Sequence, residues 1–160
     1  MDNQLLHTPE GVRDIYREEC LKKIAVQDGI KKVFHLFGYE DIETPTFEFF
    51  DIFNKERGSV TTQEMFKLFD RDNNTLVLRP DMTPAIARCV AKYFMDSQAP
   101  LRLCYRARTF INNSSYQGRL KETTQTGAEM IGEDSPEADA EMIAMVVTAL
   151  KSAGLKEFQV

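Results

Sequence analysis

Four residues along this chain have the chemistry that a small ligand bearing an ammonium group requires: the carboxylates of Asp81 and Glu129, the hydroxyl of Thr83 and the amide of Gln125. Carboxylates accept charge-assisted hydrogen bonds from an ammonium, while the hydroxyl and amide offer both donors and acceptors. An amino acid would fit such a set. A second reading stands beside it, in which Asp81 bonds the backbone at a turn and Glu129 is a solvated strand residue. Arg106, Arg108, Arg119 and Lys121 make a candidate anion-binding face for phosphate or carboxylate, because guanidinium groups offer paired donors. They could equally form a surface strip paired with acidic neighbours. His7 and His35 are isolated from each other and suggest no catalytic dyad. Cys20, Cys89 and Cys104 are odd in number and contain no CxxC pair, so neither a disulfide framework nor a zinc site is expected. No GxGxxG, P-loop, HExxH or GxSxG pattern occurs. No catalytic residue, metal or cofactor is expected.

These residues need elements to hold them. From Gly118 to Glu129 polar side chains recur at every second position, the period of a strand. Arg119, Lys121, Thr123, Gln125 and Glu129 would line one face, with Gly127 leaving space there for a small polar ligand. Residues 101–110 alternate Leu101, Leu103, Tyr105 and Ala107 against Arg102, Arg106 and Arg108, and the Asn112–Ser115 turn makes a long hairpin whose return strand runs to about Ile131. Residues 14–37 place Ile15, Leu21, Ile24, Val26, Ile30, Val33, Phe34 and Phe37 at helical spacing, ended by Gly38. Residues 39–42 read as a short strand, and Pro45 must sit at an edge, a bulge or an interface. The aromatic run at 47–53 reads as core packing.

Residues 65–70 and 75–78 form a hairpin about Asp72, Asn73 and Asn74. Thr83 caps a helix with Pro84 in its first turn, so Asp81 sits at a strand-to-helix junction. Ser135 opens a last helix to Leu150, with a stop at Gly154. Residues 156–160 alternate like a strand without a closing turn, which suggests a longer chain. The order gives an α+β domain spanning 1–160 around a largely antiparallel sheet.

With 160 residues, 42% of them hydrophobic, one domain with a sizeable core is expected. A net charge of −5 argues against a dominant nucleic-acid surface, so tRNA is not an expected partner. No signal peptide or membrane span is evident, and unpaired cysteines suit the cytosol.

The stretches Gly38–Pro45, Leu78–Thr83 and Tyr105–Gly132 resemble the catalytic core of class II histidyl-tRNA synthetases and of their non-catalytic paralogue, the regulatory subunit of short-form ATP phosphoribosyltransferase. Thr8–Asp14 is similar to the paralogue's opening. The strongest element is Gln117-Gly118-Arg119-Leu120-Lys121-Glu122, followed by Gln125 and Glu129. Two features favour the paralogue. Asp81-Met82-Thr83 replaces the synthetases' Glu-Gly-Thr, and Ile111 and Asn113 stand where the second class II motif carries an ATP-holding arginine and a glutamate. Losing the arginine removes a charged contact worth about 1.5–3 kcal/mol.

The resemblance implies a class II synthetase-like fold, truncated toward its C-terminus, and a histidine pocket of Asp81, Thr83, Gln125 and Glu129. It further implies a homodimer with Pro45 at its interface, and assembly with the short catalytic subunit to activate it and mediate histidine feedback in histidine biosynthesis. A divergent synthetase that activates histidine with ATP, and a non-catalytic tRNA-binding or scaffold module, are the alternatives.

Overall fold

The computed structural model describes residues 6–54, 60–113 and 118–160. They form helices α1 (Arg17–Leu36), α2 (Thr83–Tyr93) and α3 (Pro136–Ser152). The strands are β1 (Glu40–Asp41), β2 (Phe47–Phe49), β3 (Lys67–Phe69), β4 (Thr75–Leu78), β5 (Leu101–Phe110) and β6 (Glu122–Ile131). Two three-stranded sheets result, ordered β1-β5-β6 and β2-β4-β3. The class is α+β, as the sequence pattern implies. The chain divides into two compact units.

One unit comprises Tyr16–Glu43, Phe94–Ala107 and Gln125–Val160. Its core is Val33 and Phe34 of α1, Tyr39, Cys104 of β5, and Met145 and Ala149 of α3. The helical stripe of α1 is only half used. Val33 and Phe34 are buried, whereas Leu21, Ile24 and Val26 are 68, 44 and 43% exposed. The helix ends where Gly38 adopts a φ of 82°, a left-handed conformation that costs glycine little. β1 then pairs with β5 in parallel, Glu40 opposite Leu103 and Asp41 opposite Cys104, whereas the β2–β4 and β3–β4 pairs are antiparallel. The reason is the connection: β1 reaches β5 only after the long excursion of residues 44–93, a crossover that leaves strand direction free. α3 starts as expected, with Ser135 Oγ accepting a hydrogen bond from Ala138 N at 3.3 Å and Pro136 in the first turn. Residues 156–160 form no strand, contrary to their alternation.

The other unit comprises Met1–Ile15, Thr44–Tyr93 and Arg108–Thr124. The β3–β4 hairpin forms as its turn residues dictate. Asp70 Oδ1 accepts from the backbone N–H groups of Asp72 and Asn74, at 2.9 and 2.8 Å, and Asn73 takes a φ of 61°. β4 also pairs antiparallel with β2, with Glu48 opposite Val77. That register corrects the core-packing reading at Phe47 and Phe49, whereas Phe53 is buried in the core with Phe50 and Ile52 packed against it. Phe47 and Phe49 are 54 and 55% exposed, while Glu48 between them is buried and accepts from Arg88 Nη2 at 2.7 Å. Strand alternation decides the matter, since Phe53, Val77, Met65 and Ala85 fill the core on the Glu48 side. Helix α2 begins at Thr83 itself, with Pro84 in its first turn. No helix among the described residues is long and apolar enough to cross a membrane.

Candidate functional site

The strand-to-helix junction around Asp81 is held by Arg79. Its buried guanidinium donates from Nη1 to the carbonyls of Thr44 (2.6 Å) and Pro45 (3.1 Å), and from Nε to the carbonyl of Arg108 (2.9 Å). The Arg79 carbonyl in turn accepts from Phe110 N at 3.0 Å. These bonds satisfy a cation that burial would otherwise penalise, and they fix the segment leading into α2. Asp81 Oδ1 accepts from Met82 N at 2.7 Å, so one carboxylate oxygen already does the turn-bonding that the sequence left open. Met82 and Ile86 are fully buried behind it, and Thr83 faces outward at the first turn. Asp81 and Thr83 thus share one anchored turn of the Thr44–Tyr93 unit.

Strand β6 begins at Glu122, so Arg119 and Lys121 precede the strand and do not continue its alternating face. Gly118 has a φ of 62°, which breaks the extended path before them. Lys121 is tied through its backbone, its N–H donating to Gly11 O and its carbonyl accepting from Ile111 N at 2.9 Å; Arg119 is exposed. The expected turn at Asn112–Ser115 lies partly outside the described residues, as does Gln117. Arg106 and Arg108 do not form an anion face with them. Arg106 pairs with Asp28 at 2.8 Å and Arg108 with Glu122 at 2.7 Å, the surface-strip alternative realised.

Thr123, Gln125, Gly127 and Glu129 share one face of β6 by alternation. Tyr105 lies across from Gly127, and a Cβ at Gly127 would sit 2.5 Å from its phenol oxygen. Gly127 therefore admits the Tyr105 ring, and the space above it is filled rather than left for a ligand. What remains notable is Gln125. Its Oε1 is shut off from solvent and has no hydrogen-bond partner among the described residues. A buried acceptor without a partner carries a desolvation penalty, which a ligand N–H would relieve.

The helix-covered side holds charges that the sequence did not connect. Arg102 makes two bonds of 2.9 Å to Glu141 on α3. The bond from Arg102 holds the Glu141 carboxyl below the usual glutamate range. Burial, aided by the Glu141 charge, pushes Tyr39 up to about 12. Between α1, β1 and β5, Asp41 accepts from Lys31 Nζ at 3.0 Å and lies 3.3 Å from His35 Nε2 and 3.5 Å from Cys104 Sγ. Burial pushes the Asp41 carboxyl up, but the bonds from Lys31, His35 and Cys104 outweigh it and leave the group below its ordinary value. Burial, with the Asp41 bond, pushes the Cys104 thiol up to about 12. No spacing motif marks residues 35, 41 and 104. The available signal was a cysteine in the alternation of one strand candidate and an acid in another, and it becomes legible only once their pairing is known.

The histidyl-tRNA synthetase family model matches residues 11–160. The chain belongs to that family. It is 46% identical, over 97% of its own length and 37% of the relative's, to the ATP phosphoribosyltransferase regulatory subunit of Acetivibrio thermocellus. A crystal structure described as an ATP phosphoribosyltransferase regulatory subunit/histidyl-tRNA synthetase from Bacillus halodurans superposes with a TM-score of 0.87 at 41% identity, covering 97% of this chain and 40% of that one. A histidine–tRNA ligase subunit from Alicyclobacillus acidocaldarius gives a TM-score of 0.80 at 28% identity, covering 94% of this chain and 43% of that one. The chain thus spans about two fifths of the length of the curated relatives it matches.

Proposed function

We propose that the chain acts within a non-catalytic regulatory subunit that assembles with the short ATP phosphoribosyltransferase catalytic subunit, activates it and senses histidine. The observation that carries this reading is the chemistry at Ile111 and Asn113. Ile111 offers an apolar side chain and bonds through its backbone to Lys121, so the position supplies no phosphate-binding cation. A phosphoryl oxygen undergoing displacement needs preorganised positive charge, and loss of one such donor costs on the order of 100- to 1000-fold in rate. The high identity to a protein named as a regulatory subunit supports the same conclusion.

Asp81, Thr83, Gln125 and Glu129 are the residues proposed to hold histidine, with Arg119 and Lys121 as the remaining candidates for an anionic group. The unmatched Gln125 Oε1 supports a ligand that donates a hydrogen bond. Feedback requires histidine to bind the inhibited assembly more tightly than the active one. A homodimer with Pro45 at its interface is part of the proposal, supported by the exposure of Pro45, Phe47 and Phe49 along one side of an edge strand. The full-length protein should co-purify with the short catalytic subunit, raise its activity and bind histidine in calorimetry. Histidine-dependent exchange of pyrophosphate into ATP would overturn the proposal in favour of a synthetase.

A further inference from the structure

We propose that His35, Asp41 and Cys104 form a binding site for a zinc-type divalent cation, with Lys31 as its resident competitor. The three donors come from α1, β1 and β5 within one unit, and their ligand atoms all lie within 4.8 Å of one another. Tetrahedral zinc, with bonds of about 2.0–2.3 Å, holds neighbouring donor atoms roughly 3.3–3.7 Å apart. Two contacts already have that length, each through a different carboxylate oxygen: Asp41 Oδ2 to His35 Nε2 at 3.3 Å and Asp41 Oδ1 to Cys104 Sγ at 3.5 Å, so a turn of the carboxylate brings one oxygen between the other two donors. Closing the third needs a side-chain adjustment between the imidazole and the thiol.

The donor set is one imidazole nitrogen, one carboxylate oxygen and one sulfur, a mixture suited to zinc rather than to calcium or magnesium. The parallel register that sets Asp41 opposite Cys104 fixes two donors on adjacent strands before any ion arrives. Cys104 is fully buried, whereas the His35 and Asp41 side chains are 47 and 51% exposed. An ion can therefore enter from the His35 side, where solvent supplies a fourth ligand. On binding, the Cys104 thiol proton passes to solvent and the thiolate takes its place on the metal, with no change of oxidation state. The Lys31 ammonium, 3.0 Å from Asp41 and 31% exposed, must turn outward.

Lys31 separates this proposal from a purely structural staple. In a staple, Lys31 adds to the network and its loss weakens the cluster. In a metal site, its charge opposes the cation and its loss tightens binding. The test is a Co²⁺ titration of the full-length protein, read by absorption and reversed with Zn²⁺. The expected result is a thiolate-to-cobalt charge-transfer band that Zn²⁺ abolishes, that Cys104→Ser removes, and that Lys31→Met brings on at about fivefold lower Co²⁺. His35→Ala, at a half-exposed position, should weaken binding about tenfold or more and keeps the test decisive if Cys104→Ser does not fold. No band in the wild type, a band that survives Cys104→Ser, or affinity unchanged by His35→Ala would overturn the site.

Discussion

On β5 the charged side of the alternation is consumed inside the molecule: Arg102 binds Glu141, Arg106 binds Asp28 and Arg108 binds Glu122. On neighbouring β6 Thr123 meets the Thr109 hydroxyl at 3.0 Å, but Gln125 Oε1 is buried without a hydrogen-bond partner among the described residues. Both strands read alike as alternating polar and apolar residues, and the more highly charged one turns out to be structural. Charge density marks where a fold balances itself, whereas an unmatched neutral amide marks where something else is expected to bind.

That contrast can be attacked at four points. The largest effect belongs to Arg102→Ala, which strands the half-buried Glu141 carboxylate and should cost about 2–3 kcal/mol in denaturant unfolding. Its pH dependence follows from the depressed Glu141 carboxyl. A group with a lowered folded value contributes stability that is complete above its unfolded value, here the ordinary 4.5, and is lost as pH falls through the folded one. The stability gap between wild type and Glu141→Gln should therefore be full near neutrality and close on acidification below about 4.5.

Next, Gly127→Ala drives a methyl against the Tyr105 phenol and should cost about 1–2 kcal/mol. A double-mutant cycle with Tyr105→Ala should recover most of that loss. Gln125→Met should have the opposite sign, stabilising the unliganded protein by about 1 kcal/mol while lowering histidine affinity about tenfold in calorimetry. If both stability and affinity stayed at wild-type levels, the contrast between the strands would collapse. The smallest effect is Arg106→Ala, whose exposed pair with Asp28 should contribute no more than about 0.5 kcal/mol, a difference that should shrink further in high salt.

Sequence legibility followed how local the determining physics was. The long helix, the hairpin about Asn73, the two long strands and the last helix were readable because periodicity, turn residues and capping act over a few residues. The parallel direction of β1, the exposure of Phe47 and Phe49, and the Tyr105 ring above Gly127 were not, since each depends on a partner far away in sequence. For the candidate site, residue types were legible at Asp81, Thr83, Gln125 and Glu129, but their hydrogen-bond state was not. The bond from Met82 to Asp81 is the local turn bond that the sequence left open, whereas the unmatched Gln125 oxygen emerges only from packing. The acidic partners of Arg102 and Arg106 were hidden for the same reason, Glu141 lying 39 residues away and Asp28 lying 78.

The two-residue strand β1 also constrains how the molecule can form. Its contact with β5 joins Asp41 to Cys104 across 63 residues, and the intervening stretch contains all of Thr44–Tyr93, the central segment of the other unit. Closing a loop of that size carries an entropic cost that rises only by about 0.6 kcal/mol for each doubling of its length, so the excursion is tolerable at equilibrium. In time it is less forgiving, because distant pairings come late and slow the search. Part of that loop is shortened if the β3–β4 hairpin and α2 form first, through their local contacts. The sheet is then completed by a two-residue strand whose pairing Ile42 N extends by donating to the Cys104 carbonyl at 2.9 Å.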